Sequence, residues 1–484
     1  RGQFGLSFDA YGRRFISSNR HPVMQVVLEP AWLRRNPHLA FAESVQNVSK
    51  VEAEAVVWPV SRARVTADFI PALMSKPHSG TYTSASGVLI YGGTGLGDGF
   101  DGNAFICESA QNLVQRQVMR SEGATFRAEL AARGSEFLAS TDSWFRPVSL
   151  ANGPDGALYV VDMCRREIDH PAYVPEESRG KLDFASGGEL GRIYRIVAQN
   201  TRASAPAELS NTGLVRALES PDSWWRELAR RLLIERGAAE TVDAIERVAA
   251  ESPRPEARVQ ALWALQGIGR LRTEVIEIAS RDASAGVREQ AVMLAGRRLA
   301  GDSRFGPMLV RAASDADARV RFCAALELGS WTDERAVSPL ATIALRDGAD
   351  RWTRAAVFSG VSGRLEGFRT AVAAGRTGAP AAVVAPVMEE LGRLVGASSP
   401  LPAAGAWLAE ASAAARAEGW RIPAVLGLAE GLRGRNEFKG KAGTGPLSAA
   451  AEAGPGVAVL ERFLAEAAAT ASDAATPVSL RSAA

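Results

Sequence analysis

One phrase recurs through the second half of the chain and limits the folds open to it more than any other feature. Trp225-Arg226-Glu227-Leu228-Ala229, Val259-Gln260-Ala261-Leu262-Trp263, Val287-Arg288-Glu289-Gln290-Ala291, Val320-Arg321-Phe322-Cys323-Ala324 and Thr353-Arg354-Ala355-Ala356-Val357 align. Their second residues lie 34, 28, 33 and 33 positions apart. Most follow a turn built of Pro, Asp or Ser, and each carries Ala and Leu at helical spacing. A unit of this length made of two helices cannot bury its apolar face alone, so successive units must stack. The reading is an α-solenoid of HEAT-like repeats over 206–484, regular to about 360 and degenerate beyond. Its register places Val287, Leu294, Val320 and Leu326 inside the stack and Arg288, Arg321 and Arg354 at one lateral position. Val320→Asp would then bury an unpaired charge and cost several kcal/mol.

Residues 1–198 have a different period. Gly5 to Ile16 reads as a hairpin turning at Tyr11-Gly12, and Val23 to Leu28 as a further strand. Gly87 to Gly93, Asn103 to Glu108, Asn112 to Val118, Pro154 to Asp162 and Gly191 to Val197 complete a set of short strands with Gly-rich turns. Recurring aromatic-Asp-turn-Gly-strand phrases favour a propeller over a sandwich. About three blades are visible, interrupted by a long insertion from Trp32 to His78. The fold class expected is therefore multidomain, β then α: a partial β-propeller over 1–198, a linker over 199–205, then the solenoid. The chain opens on Arg1 with no signal peptide, and its last residues, Asp473 to Ala484, resemble the start of another repeat. It reads as cut at both ends, which would leave the apolar flank from Leu6 to Val27 exposed and prone to association.

The 56 basic and 54 acidic residues nearly cancel, which gives no footprint for a nucleic-acid partner. No apolar run reaches the roughly 18 residues of a membrane span. Cys107, Cys164 and Cys323 are far apart and match no zinc or haem-attachment spacing. Cys323 reads as a buried small hydrophobe, whereas Cys107 and Cys164 could pair if their strands are neighbours.

A stretch over 136–171 points to chemistry. Asn152-Gly153-Pro154-Asp155-Gly156-Ala157-Leu158-Tyr159-Val160-Val161-Asp162 is a tight reversal followed by a buried strand. Ionisable residues that follow such a strand gather at one end of a propeller. With Asn19-Arg20-His21-Pro22, Val27-Leu28-Glu29, Arg35-Asn36-Pro37, 102–108 (GNAFICE), Asn112-Leu113-Val114, 137–147 (FLASTDSWFRP), Asp162-Met163 and His170-Pro171, it resembles the PVC-type haem-binding CxxCH proteins of membrane-bound dehydrogenase type. The resemblance is dense over residues 1 to about 200 and architectural beyond. It implies a sorbosone- or glucose-dehydrogenase-like propeller, HEAT-like repeats and a cytochrome c domain. It further implies pyrroloquinoline quinone and calcium as cofactors, a sugar-like substrate, a cytochrome c or other protein partner held by the solenoid, and a periplasmic or cell-envelope location. Two departures stand out. Cys164 occupies a position where the family usually has Tyr, and no CxxCH occurs, so this chain attaches no covalent c-type haem.

The histidines His21, His38, His78 and His170 all lie in the strand-rich half. In quinone-dependent propeller dehydrogenases a His takes the substrate hydroxyl proton and basic side chains neutralise the cofactor carboxylates. On that pattern His21, His170 and Asp162 are the candidate catalytic residues, and Arg20, Arg146 and Arg165 the candidate cofactor-binding ones. The opposing reading makes Arg146 and Asp162 a buried pair that ties blades together, and the Pro-flanked histidine a loop cap. His38 reads as structural. Asp98, Asp101 and Asn103 offer closely spaced oxygens for calcium, but their spacing matches no EF-hand and a turn-rich hairpin fits better. The Gly92-Gly93-Thr94-Gly95-Leu96-Gly97 run is not a dinucleotide fingerprint, because no helix begins after it. Two functions follow: a quinone-dependent oxidoreductase module passing electrons to a cytochrome domain outside this chain, or a non-catalytic carbohydrate- or protein-binding propeller with a HEAT-like scaffold.

Overall fold

The computed structural model describes residues 2–49, 55–61, 80–168, 170–199, 208–438 and 445–473, with the side chains of Tyr173 and Ser178 left aside. His78, most of the expected linker and the repeat expected after Asp473 lie outside the described residues. The chain falls into two compact units, Arg1–Val27 with Ser44–Ala291, and Leu28–Glu43 with Val292–Ala484.

In the first unit the described strands form three antiparallel sheets, each from consecutive strands. Strands β1 (Phe4–Phe8), β2 (Arg14–Ser18), β3 (His21–Val26) and β4 (Val45–Asn47) make the first. Strands β5 (Ala85–Ile90), β6 (Ala104–Glu108), β7 (Leu113–Glu122) and β8 (Thr125–Leu130) make the second, with β9 (Leu138–Ala139) against β7. The third is β10 (Pro147–Asn152), β11 (Leu158–Asp162) and β12 (Arg192–Ile196). The middle sheet is covered on both faces, which explains why β6 is apolar from Ala104 to Cys107: Ala104 and Ile106 enter one core with Phe15, Val23, Tyr82 and Phe126. Phe105 and Cys107 enter the other with Tyr91, Phe145, Leu158 and Val160. β5 runs close to β1 on one side and β10 on the other. Gly87 makes that possible: at φ +55 an added Cβ would sit 2.8 Å from the Ser149 Cα. Cys107, Cys164 and Cys323 are all buried and none is in a disulfide, so the first two do not pair. Phe4, Leu6 and Phe8 on β1 are exposed.

Strands β8 and β10 were not among those expected. β8 does alternate apolar with charged residues, from Phe126 to Leu130, whereas β10 begins on a proline. The first helices share the unit with the sheets. Ser223 N–H donates to Gly92 O (2.9 Å), the Trp225 indole donates to Pro154 O (2.7 Å), and Gln290 donates to Tyr11 O (2.9 Å).

The helices carry the repeat as expected: Val287, Leu294, Val320 and Leu326 are buried. Each unit is closed by an arginine whose Nη1 donates to the carbonyl six residues before it. Arg226 bonds Ser220 O (2.8 Å), Arg258 bonds Ser252 O, Arg288 bonds Asp282 O (2.8 Å), Arg321 bonds Asp315 O (2.7 Å) and Arg354 bonds Gly348 O. That geometry corrects one alignment: the repeating position in the second helical repeat is Arg258, not Gln260, and the spacings become 32, 30, 33 and 33. The slip arose because Val259-Gln260-Ala261 copies the apolar pattern while lacking the bond to the turn.

In the second unit the segment Leu28–Glu43 packs on helices. The Arg35 guanidinium donates to Leu326 O (2.7 Å), Ser330 Oγ (2.8 Å) and Ser359 Oγ (2.6 Å), and Asn36 Nδ2 donates to Phe358 O (2.8 Å). The Arg-Asn-Pro phrase is thus a clamp on two helix ends. Beyond 360 the chain stays helical, through Leu365–Gly375, Ala381–Ser398, Leu401–Ala413, Arg421–Arg433, Gly445–Glu452 and Val457–Ser472. No described helix is long and apolar enough to cross a membrane.

Candidate functional site

Residues 109–112, 143–146 and 162–166 converge on one turn. β6 ends at Glu108, and the chain reverses through residues 109–112, with Asn112 in the left-handed region at φ 59. Asparagine tolerates that conformation, and its side chain then reaches back to Ser143 O and Phe145 O. Arg146, buried, extends over the same turn. Its Nη1 donates to Ser109 O (3.1 Å) and Ala110 O (2.9 Å), its Nε to Arg165 O (3.1 Å) and its Nη2 to Arg166 O (2.7 Å). Asp162, also buried, accepts from Arg146 N–H (2.7 Å) and Cys164 N–H (2.8 Å) on one oxygen and from Arg192 Nε (2.9 Å) on the other. Cys164 follows at φ 51. Arg146, Asp162 and the backbone of Arg165 and Arg166 therefore form one cluster.

The remaining sequence candidates are placed elsewhere in that unit. Arg20 is exposed in the β2–β3 turn. His21 begins β3, with its Nδ1 3.2 Å from Asn47 Nδ2. Burial, and then the neighbouring Arg20 charge, push the His21 imidazolium down, which favours the neutral ring. The Arg165 guanidinium donates to Gly188 O at 3.5 Å. His170 is exposed, and its Nδ1 accepts from Ala172 N–H (3.1 Å) to cap the 3-10 turn Pro171–Tyr173. His38, which belongs to the second unit, is exposed as well. In the 97–103 turn the carbonyls of Gly99, Phe100 and Asp101 accept from Asn103 Nδ2, and the Arg116 guanidinium lies 4.0 Å from the Phe100 ring. Cations and amides of the protein already face those oxygens, as in a hairpin. Among the described residues no group of three metal-ligating side chains occurs.

Two carboxyls that the sequence reading left out lie near the same turn. Glu108, fully buried, accepts from Thr83 N–H (3.1 Å), Ser84 N–H (2.9 Å) and Thr83 Oγ1 (3.1 Å). Burial outweighs those bonds and pushes it up to about 7. Glu136, half-buried, accepts from Trp58 N–H (2.9 Å) and Gln115 Nε2 (3.1 Å) and is likewise pushed up to about 7 by burial. Both raise the phenol of Tyr82, itself buried and well above its ordinary value mainly through desolvation. The signal available in the sequence was an acid ending a wholly apolar strand, Ala104 to Cys107.

An opening lies on helices of the same unit. A groove of about 820 Å³ runs between Ser223–Glu235 and Pro255–Ile268. Trp224, Trp263, Leu228 and Ile234 give it apolar surface, and Glu227, Arg230, Arg231, Glu235 and Gln266 give it polar atoms.

Two family models match the chain. Residues 1–200 match a domain of unknown function (DUF7133), and residues 271–360 match HEAT repeats. No curated protein matches it. The N-terminal region is thus sheet-rich, and the helical region that follows carries HEAT repeats.

Proposed function

We propose that the chain is a non-catalytic interaction module, in which a section of β-propeller is joined to a HEAT-like array that holds a protein partner. The propeller reading is supported by the order of the sheets: each is a meander of consecutive strands, and their first strands β1, β5 and β10 lie side by side. One observation carries the non-catalytic reading. The residues expected to meet a cofactor and substrate already serve the fold, since the Arg146 guanidinium is held by four backbone carbonyls and Asp162 by two backbone N–H groups and Arg192. HEAT repeats offer a long surface of stacked helices, and such surfaces recognise proteins.

The competing reading is a quinone-dependent sugar or alcohol dehydrogenase. It has one observation in its favour, a His21 ring 3.2 Å from Asn47 Nδ2 whose neutral form is favoured by burial. The test is dye-linked oxidation of a panel of aldoses and alcohols by the full chain, supplied with pyrroloquinoline quinone and calcium. The expected result is no turnover above the protein-free blank. Quinone-dependent turnover that disappears in His21→Ala would replace the interaction module with the enzyme.

A further inference from the structure

The groove between Ser223–Glu235 and Pro255–Ile268 has features that a plain gap between stacked helices lacks. Its two indoles are held from behind. The Trp263 N–H donates to Gln290 Oε1 at 2.8 Å. Trp224 packs edge-on against Trp225, with ring centroids 4.7 Å apart at 80°. Trp225 is in turn fixed by its own bond to Pro154 O. Both groove-lining rings remain half-buried rather than closed into the core. Large rigid aromatic surface that stays open to solvent is suited to stacking, because little freedom is lost when a ligand settles on it.

The polar lining narrows the ligand. Glu227 and Glu235 are balanced by Arg230 and Arg231, and Arg231 lies 3.5 Å from Glu235 as an ion pair. A charge-balanced groove gives no field for a nucleotide or an acidic polymer. Nor is it the uninterrupted apolar face that a lipid or a hydrophobic helix needs, since five of its ten lining residues carry charged or amide side chains. Carboxylate, guanidinium and amide groups beside indoles are the donors and acceptors that hydroxyl groups need, while the C–H faces of pyranose rings stack on indole. A volume of about 820 Å³ is of the size that takes a ligand of several rings.

We propose that this groove binds a neutral oligosaccharide, with Trp224 and Trp263 as stacking platforms and Glu227, Arg230 and Gln266 as hydroxyl partners. The site stands apart from the role of the sheets, because it is read by binding and not by turnover.

The test is calorimetric titration of the full chain with cellotetraose, maltotetraose and mannotetraose, with tetragalacturonate as the charged control. The expected result is saturable binding of at least one neutral tetrasaccharide below about 5 mM. It should weaken about tenfold in Trp224→Ala and in Trp263→Ala, in line with the loss of one stacking surface. The phenyl variants Trp224→Phe and Trp263→Phe should retain part of the affinity, and their thermal melts show whether the fold persists. Arg247→Ala, on an exposed helix position outside the groove, should bind as the parent does. Three results would each overturn the proposal: no saturable heat with any neutral tetrasaccharide, unchanged affinity in both folded indole variants, or preferential binding of tetragalacturonate.

Discussion

The Arg321 guanidinium meets the Asp347 carboxylate side-on, with Nε 2.6 Å from Oδ2 and Nη2 directed at Oδ1. Its Nη1 meanwhile bonds Asp315 O and Ala316 O of the preceding turn. One side chain therefore closes its own unit and grips the turn of the next. Arg258 repeats the arrangement, donating to Ser252 O and in bidentate fashion to Asp282. Both members of the Arg321–Asp347 pair are nearly buried, with 6% and 13% of their side chains exposed, so solvent screens the pair little.

Removing one partner of such a pair leaves the other buried without its counter-charge. Arg321→Ala should cost about 3–5 kcal/mol. Arg321→Lys should recover little of this, since an ammonium cannot fork between a carboxylate and two carbonyls. Urea unfolding of the three proteins checks it, and a loss in Arg321→Ala near that of an exposed ion pair, below about 1 kcal/mol, would contradict it.

Much of the helical half was legible because the Arg that follows each turn has a sequence signature, and the buried apolar positions around Val287 and Val320 follow from it. The one misplaced phrase, at Gln260, shows the limit: apolar spacing alone does not separate neighbouring registers, whereas the i−6 relation of Arg258 to Ser252 does. In the sheets, Arg146 and Asp162 were legible as neighbours but not as the expected pair of side chains: Asp162 accepts from the Arg146 backbone N–H, and the guanidinium it meets is that of Arg192. The Arg146 guanidinium bonds four backbone carbonyls instead, and such partners leave no residue-type pattern. The groove was not legible for a different reason: Trp224 and Trp263 belong to separate helical repeats, and only the packing of their helices brings them together.

Glu108 predicts a pH dependence with a definite sign. Its folded value of about 7 lies above the 4.5 of an unperturbed glutamate, so the folded state holds the proton more tightly than the unfolded chain. Stability contributed by this group is full below about 4.5, falls as pH rises to about 7, and is level above that. The change is on the order of 3 kcal/mol. Glu136 and Asp222 are raised in the same direction, so the informative quantity is the difference between parent and Glu108→Gln. Denaturant midpoints from pH 5 to 8 should fall less steeply in the variant; parallel curves would remove Glu108 as the source.

Arg35 and Glu327 predict a coupling within the second unit. Burial pushes Glu327 up to about 7, and the charges of Arg35 and then Arg297 oppose that shift. Burial lowers Arg35 to about 10, with the Glu327 charge opposing. Arg35→Ala removes the donors on Leu326 O and Ser359 Oγ together with this charge, and should cost roughly 3 kcal/mol. Glu327→Gln should cost less. Because both changes act on one network, the double variant should lose less than the two single losses added. Strict additivity in a double-mutant cycle by thermal unfolding would show that the two residues act independently.

The glycines beyond 360 make opposite predictions according to what faces them. Helices Ala381–Ser398 and Arg421–Arg433 meet backbone to backbone through Gly392, Gly396, Gly427 and Gly431. A Cβ on Gly427 would sit 1.9 Å from Glu389 O, and one on Gly431 would sit 2.1 Å from Arg393 O. These are main-chain atoms of the facing helix and cannot rotate aside, so Gly427→Ala must push the helices apart and lose contact along the whole crossing. The expected loss is about 2–4 kcal/mol, larger than the roughly 1 kcal/mol that alanine adds in helix propensity. Gly367 is exposed in helix Leu365–Gly375, and a Cβ there would meet nothing nearer than 3.8 Å. Gly367→Ala should therefore stabilise the protein by up to about 1 kcal/mol. Paired denaturation curves decide the matter, since a gain in Gly427→Ala equal to that in Gly367→Ala would mean that the two helices do not pack at this distance.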